Sequence, residues 1–288
     1  MIWLGLCIVF TSFLIIAFKY FEKYKVVTMP AIAFNYLTCG LMGLIFQQNH
    51  NAVFQLQPQP WILYAIALGL LFIVVFYLLG INTQINGITV GAIANKLSVV
   101  IPVAIAIYAY NEKVTVLKII GILLALLSVI LSNLKIQKNN NAAVKRNWLL
   151  PFVVFIGSGI CDSFLNFIQK YHLPQQFNEL FIAIVFLTAA LVGFVIAFYN
   201  SFFKKITFGK KEIIAGFLLG LPNFASIFSI LKALQLSGLE HSVLWPINNV
   251  GIIVFSSLYS VLFFKEKLQT INIVGILAAV VAIIFMMM

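Results

Sequence analysis

The stretch NEKVTVLKIIGILLALLSVI, residues 111–130, recurs without a gap as KEKLQTINIVGILAAVVAII, residues 265–284. Identities include Glu112/Glu266, Lys113/Lys267, Ile119/Ile273, Gly121/Gly275, Ile122/Ile276, Leu123/Leu277 and Ala125/Ala279, all 154 positions apart. In each copy a short polar turn carrying Glu and Lys opens an apolar run with a Gly in it. One unit is written twice, and a repeat of this period sets the architecture of the chain. A second block matches at an offset of 151: Leu68-Gly69-Leu70 on Leu219-Gly220-Leu221, Gln84 on Gln235 and Gly87 on Gly238. The offset grows by three where the ninth apolar run carries extra residues around Trp245 to Asn249.

Outward from these blocks, apolar runs fall at 2–18, 27–46, 60–81, 88–110, 115–134, 148–169, 179–199, 212–234, 241–263 and 269–287. Most approach the roughly 20 residues that an α-helix needs to cross a hydrocarbon core about 30 Å thick. Of the 288 residues, 63% are hydrophobic and 9% charged, with a mean hydropathy of +1.09. A soluble domain carries about 25% charged residues to solvate its exterior. This chain has too few, so its solvent is lipid. The fold class expected is an all-α integral membrane protein of about ten transmembrane helices, arranged as two inverted five-helix repeats. The first repeat is 1–137, a basic linker occupies 138–147, and the second repeat is 148–288.

The net charge of +11 does not point to nucleic acid. The basic residues lie in short groups between apolar runs, where cytoplasmic loops hold them. Odd-numbered loops carry Lys19, Lys23, Lys25, Lys135, Lys138, Lys145, Arg146, Lys204, Lys205, Lys210, Lys211, Lys265 and Lys267. Even-numbered loops and helix starts carry Lys113, Lys118 and Lys170. The bias puts odd loops in the cytoplasm and both termini outside, with the cell (inner) membrane as the expected location. Five helices per repeat, an odd number, then orient the two halves oppositely, as in many secondary transporters. The first run lacks a basic leader and a small-residue cleavage site, so it reads as a retained span. Cys7, Cys39 and Cys161 lie inside apolar runs and give neither a metal spacing nor a disulfide framework.

The fourth run contains Ile101-Pro102-Val103, followed by the turn Asn111-Glu112-Lys113 and then Ile120-Gly121-Ile122. This pattern resembles the drug/metabolite transporter superfamily, specifically its ten-helix EamA-like branch. The second half repeats the turn and the glycine at Glu266 and Gly275, but Ser256 stands at the position matching Pro102, so the ninth helix should bend elsewhere. The resemblance implies transport of amino acids, nucleobases, sugars, phosphorylated metabolites or drugs. In small multidrug relatives a carboxylate on the first helix couples drug movement to protons. Asp162, on the repeat copy of helix 1, resembles that residue, while helix 1 itself offers only Thr11 and Ser12.

Two charges interrupt the apolar runs. Lys96 lies about 10 Å into helix 4 by the helical rise, between Asn95 and Leu97. A charge at that depth costs a few kcal/mol unless it meets water, a partner or a cavity; the competing reading is a stem that snorkels to the boundary. Asp162 is too short to snorkel. With Ser158 and Asn166 it makes a stripe at four-residue spacing, which faces protein or water rather than lipid. A structural hydrogen-bond seam is the alternative. Pro102, Pro222 and Pro246 each free the carbonyl four residues earlier, and Asn223, Asn248 and Asn249 follow two of these breaks. The candidate substrate-binding residues are therefore Lys96, Asp162, Asn166, Asn223, Asn248 and Asn249, with Asn95 and Ser98 beside them, around a polar cavity lined by helices 1, 3, 4, 6, 8 and 9.

Other residues read as structural. Gly216 and Gly220, with Ala65 and Gly69 as repeat mates, suit close helix packing. Glu112 and Glu266 are expected to cap or orient helices 5 and 10, and Glu240 and Lys232 to be solvated or snorkelling. Trp245 fits a pathway or a packing role equally. The function expected is a secondary transporter for a small polar or zwitterionic metabolite, amino-acid-like or related, working by alternating access. Asp162 is the candidate for proton coupling. A multidrug or lipid-linked-sugar carrier of the same superfamily is the alternative within transport, and a membrane receptor or scaffold is the alternative outside it. No cofactor or metal is expected. The chain has no phosphate-binding Gly-x-x-x-x-Gly-Lys-Ser/Thr motif, and its few histidines give no catalytic constellation, so an enzyme is not expected.

Overall fold

A computed structural model describes residues 1–47, 59–86, 94–109, 112, 114–133, 149–204, 209–264 and 269–287. The 138–147 linker, Lys113 and Glu266 lie outside the described residues. Among those described there are ten α-helices, one 3-10 turn and no strand. The helices are α1 (Ile2–Lys23), α2 (Thr28–Ile45), α3 (Pro60–Asn86), α4 (Val100–Ala109), α5 (Val116–Asn133), α6 (Leu149–Tyr171), α7 (Asn178–Lys204), α8 (Lys210–Leu236), α9 (His241–Phe264) and α10 (Thr270–Met287). Among the described residues, five helical segments are long and apolar enough to cross a membrane: Thr28–Ile45, Pro60–Leu79, Leu149–Tyr171, Gln175–Phe203 and Lys210–Leu236. Their solvent-facing sides are also apolar. On α7, Leu191, Val195, Phe198, Tyr199, Phe202 and Phe203 are all exposed. Water rarely tolerates a contiguous apolar face of that extent, whereas lipid favours it.

Local chemistry sets the helix ends. Pro60 opens α3, where its missing N–H is one that a first turn leaves unbonded anyway. Glu212, in the first turn of α8, accepts the Gly209 N–H at 2.7 Å and the Val27 N–H at 3.2 Å. One carboxylate thus holds the start of its own helix and the residue that opens α2. Beyond the end of α8, Gly238 takes φ +71°, a left-handed conformation that stops the helix without a Cβ penalty.

The chain forms two compact units, each drawn from both halves of the sequence. The first holds Met1–Val74 and Phe164–Ser237, the second Val75–Ser163 and Gly238–Met288. The compact units and the sequence repeats are therefore different divisions of the chain.

In the first unit, α2 and α7 cross through small residues. A methyl group on Gly43 would come within 2.8 Å of the Ala183 nitrogen, and one on Gly193 would meet the Ala33 Cβ at 3.2 Å. Tyr36 and Phe186 meet between those points, with ring centroids 5.4 Å apart. Residue numbers rise along α2 as they fall along α7, so the two helices run antiparallel. The α8–α2 and α3–α7 contacts match in kind. A Cβ on Gly220 would stand 2.4 Å from the Thr38 Cβ and 2.9 Å from the Asn35 carbonyl oxygen. One on Gly69 would stand 2.9 Å from the Thr188 Cβ and 2.4 Å from the Val185 carbonyl oxygen. Close backbone approach at Gly216, Gly220 and Gly69 follows the small-residue packing read from the sequence.

In the second unit, α5 packs on α10, with Gly121 against Ala282 and Met286. Asn272 near the start of α10 donates to the Leu131 carbonyl at 3.1 Å, near the end of α5. The fourth helix differs from the continuous run expected over 88–110. Ala94–Leu97 is helical, Ser98 and Val99 form a turn, and α4 begins at Val100. Pro102 accounts for the break: it cannot donate to the Ser98 carbonyl, which instead accepts the Ile101 N–H at 3.0 Å. The proline therefore lies in the first turn of a helix that restarts, rather than inside an uninterrupted one.

Candidate functional site

The break before α4 gathers polar groups in the second unit. Its exposed carbonyls need donors, since buried backbone oxygens are seldom left unbonded. Ser98 donates its hydroxyl to the Asn95 carbonyl, and Asn249 of α9 donates its side-chain amide to the Lys96 carbonyl at 3.5 Å. In return the Lys96 ammonium donates to Asn249 Oδ1 at 3.4 Å. Lys96 and Asn249 thus hold each other by two reciprocal contacts at the edge of hydrogen-bond range. Asn95 donates to Ser158 Oγ on α6 at 2.8 Å. One helical turn further along α6 is Asp162, on which Lys96 acts electrostatically.

Burial fits an interior cluster. Ser98 and Ser158 are buried, as are Asn248 and Asn249, while Asn95, Lys96 and Asp162 are half-buried. Lys96 therefore makes contacts inside the protein, not with a membrane boundary alone. Asn248 Oδ1 is buried and has no hydrogen-bond partner among the described residues, and the same holds for Trp245 Nε1, three residues earlier on α9. Pro246 lies between them inside the helix.

Of the eight residues read from the sequence, the second unit holds Asn95, Lys96, Ser98, Asp162, Asn248 and Asn249 on α6, α9 and the segment before α4. Asn166 and Asn223 belong to the first unit. Asn166 is buried on α6, in line with the stripe. Asn223 follows Pro222 in α8 and donates to Asn35 Oδ1 on α2 at 3.1 Å. The Cys39 thiol donates to the Gly220 carbonyl at 3.3 Å beside this pair. Asn35 was not singled out in the sequence, because its partner comes from a helix 188 positions away.

A second polar cluster corrects two expectations. Glu112 caps α9 rather than α5 or α10. Its carboxylate accepts the His241 N–H at 2.9 Å, the Ser242 N–H at 3.0 Å and the Ser242 hydroxyl. Glu240 is not simply solvated: it pairs with the buried ammonium of Lys118, which also lies 3.8 Å from Glu112. Burial acts to raise the Glu112 pKa, but the Ser242 and His241 donors and Lys118 outweigh it and hold the carboxyl below its ordinary value. Among the described residues, no group of three or more His, Cys, Asp and Glu side chains has a metal-site arrangement.

No family model matches the chain. An uncharacterised protein of Haemophilus influenzae is 28% identical over 288 residues, covering 96% of this chain and 94% of the relative. A solved crystal structure shares the fold at a TM-score of 0.76 and 13% identity, covering 99% of this chain and 97% of the other. At that identity the likeness concerns the fold alone.

Proposed function

We propose that this chain is a secondary transporter of the drug/metabolite transporter superfamily, EamA-like branch, moving a small polar or zwitterionic metabolite by alternating access. The observation that carries the reading is the reciprocal Lys96–Asn249 contact, with the Asp162 carboxylate within electrostatic reach. A cation and an anion held among apolar helices are costly, and in membranes such groups mark substrate or ion pathways. Lys96, held by the Asn249 amide at a helix break, and Asp162 form a bipolar site suited to a solute with both an anionic and a cationic group.

The ten-span inverted repeat belongs to the same proposal. In its favour, α3 and α8 are both 27 residues long and begin 150 positions apart (60 and 210). α5 and α10 are both 18 residues long and begin 154 apart (116 and 270), the offset of the sequence repeat. The Gly43–Ala183 and Ala33–Gly193 contacts exchange under a shift of 150, as a two-fold relation between antiparallel helices requires. On this reading both termini lie outside a cell membrane.

The test is uptake and counterflow in proteoliposomes containing the purified chain, with radiolabelled amino acids, organic acids, phosphorylated metabolites and lipophilic cations. Saturable flux of a zwitterion or anion, weakened about tenfold or more by Lys96→Ala, is the expected result. Flux of lipophilic cations alone would move the reading to a multidrug carrier. Absence of flux for every class would favour a receptor or scaffold.

A further inference from the structure

Trp245 and Asn248 are the part of this site that the proposed mechanism leaves unused. Both side chains are at least nine-tenths buried, and neither the indole N–H nor the amide oxygen meets a partner among the described residues. Such orphans are rare in native proteins and ask for an explanation. The two lie three positions apart on α9, so their Cβ atoms are about 5–6 Å apart on one face. The next residue, Asn249, holds Lys96. They also fall in the segment around which the offset between the repeats changes from 151 to 154.

We propose that Trp245 and Asn248 recognise a neutral hydrogen-bonding group, a hydroxyl or a carboxamide, on the solute whose charged group meets Lys96. The inference rests on the transport reading and narrows its substrate class. An indole N–H can only donate and an amide oxygen can only accept. A hydroxyl or a carboxamide satisfies both at once. A carboxylate would accept from the indole but set a negative oxygen against Asn248 Oδ1. A methyl group would leave both buried atoms unpaired, and a site in that condition discriminates strongly against the analogue lacking the polar group.

The experiment uses the full chain in proteoliposomes and solute pairs that differ by one polar group: L-serine and L-alanine, L-threonine and L-2-aminobutyrate, glycolate and acetate, glycerol 3-phosphate and propyl phosphate. In at least one pair the hydroxylated member should be taken up roughly tenfold better, and Trp245→Phe should reduce that ratio to about twofold or less. Phenylalanine keeps an aromatic ring but loses the N–H and some volume; a purely packing role for Trp245 would change uptake of both members of a pair alike and leave the ratio intact. Asn248→Leu should reduce the same ratio. If its melting temperature reveals misfolding, Trp245→Phe decides alone. Equal uptake within every pair, or a preference that survives Trp245→Phe, overturns the inference while transport stands. Uptake of no member removes the inference together with the transport reading for these solutes.

Discussion

Glu112 carries more of the second unit than its place in a connecting turn suggests. It accepts two backbone N–H groups and a hydroxyl at the start of α9 and lies beside the buried Lys118 ammonium. Those N–H groups have no partner inside their own helix, so the carboxylate satisfies donors that would otherwise be orphaned. Replacement by Gln keeps the shape but removes the charge and one acceptor oxygen. Glu112→Gln should destabilise the fold by about 1–3 kcal/mol, read as a lower melting temperature in detergent at neutral pH. The folded-state pKa of Glu112 is depressed, so its contribution is present above the unfolded value near 4.3 and is lost as pH falls through the lower folded value. The wild-type melting temperature should fall more steeply than that of Glu112→Gln as the pH drops below about 4.3. Equal slopes would show that Glu112 is not the titrating group. The sequence announced this residue through the repeated Glu-Lys turn but not its partner. Local spacing pointed to the adjoining helix, whereas the bond is made to a residue 129 positions away.

At the level of elements, the helices were legible in the apolar runs, and each of the ten runs overlaps a described helix. The break before α4 was less so. Pro102 marked it, yet a proline bends a continuous helix or lies in the first turn of a new one, and only the Ile101–Ser98 bond distinguishes these. Small residues at four-residue spacing, Gly216 with Gly220 and Ala65 with Gly69, point to close packing, and the contacts of Gly216 and Gly220 with α2 agree. The same substitution at two glycines tests how much those contacts matter. A Cβ on Gly220 would stand 2.4 Å from the Thr38 Cβ, while one on Gly5 has nothing within 4 Å. Gly220→Ala should therefore cost about 1–3 kcal/mol through overpacking. Gly5→Ala should be neutral or slightly stabilising, since alanine is the better helix former. Similar melting temperatures for the two variants would mean that α8 and α2 separate at little cost.

For the whole molecule, the two sequence blocks divide the chain near its middle, whereas the compact units interleave the halves. Grouping α1 and α2 with α7 and α8 depends on contacts across about 150 positions, which periodicity along the chain does not encode. Under the proposed mechanism the two charges near the α4 break have separable jobs, and substitution can tell them apart. Lys96 offers a fixed positive charge to a carboxylate or phosphate; Asp162 either takes up a proton during the cycle or completes a polar seam with Ser158. Asp162→Asn keeps the volume and can still hydrogen-bond, but it cannot ionise. If Asp162 only completes the seam, the amide should support near-normal concentrative uptake, because it replaces a neutral acid with a neutral amide. If Asp162 couples flux to protons, uptake against a gradient should collapse in Asp162→Asn while exchange at equal concentrations persists, since exchange needs binding without net proton movement. Internal pH measured with a trapped dye gives the independent reading: wild-type vesicles should change internal pH when solute is added, and Asp162→Asn vesicles should not. Wild-type uptake that leaves internal pH unchanged would remove proton coupling from the mechanism; normal uptake by Asp162→Asn would then leave Asp162 in the seam, and lost uptake would make it a fixed partner for the cationic end of the solute.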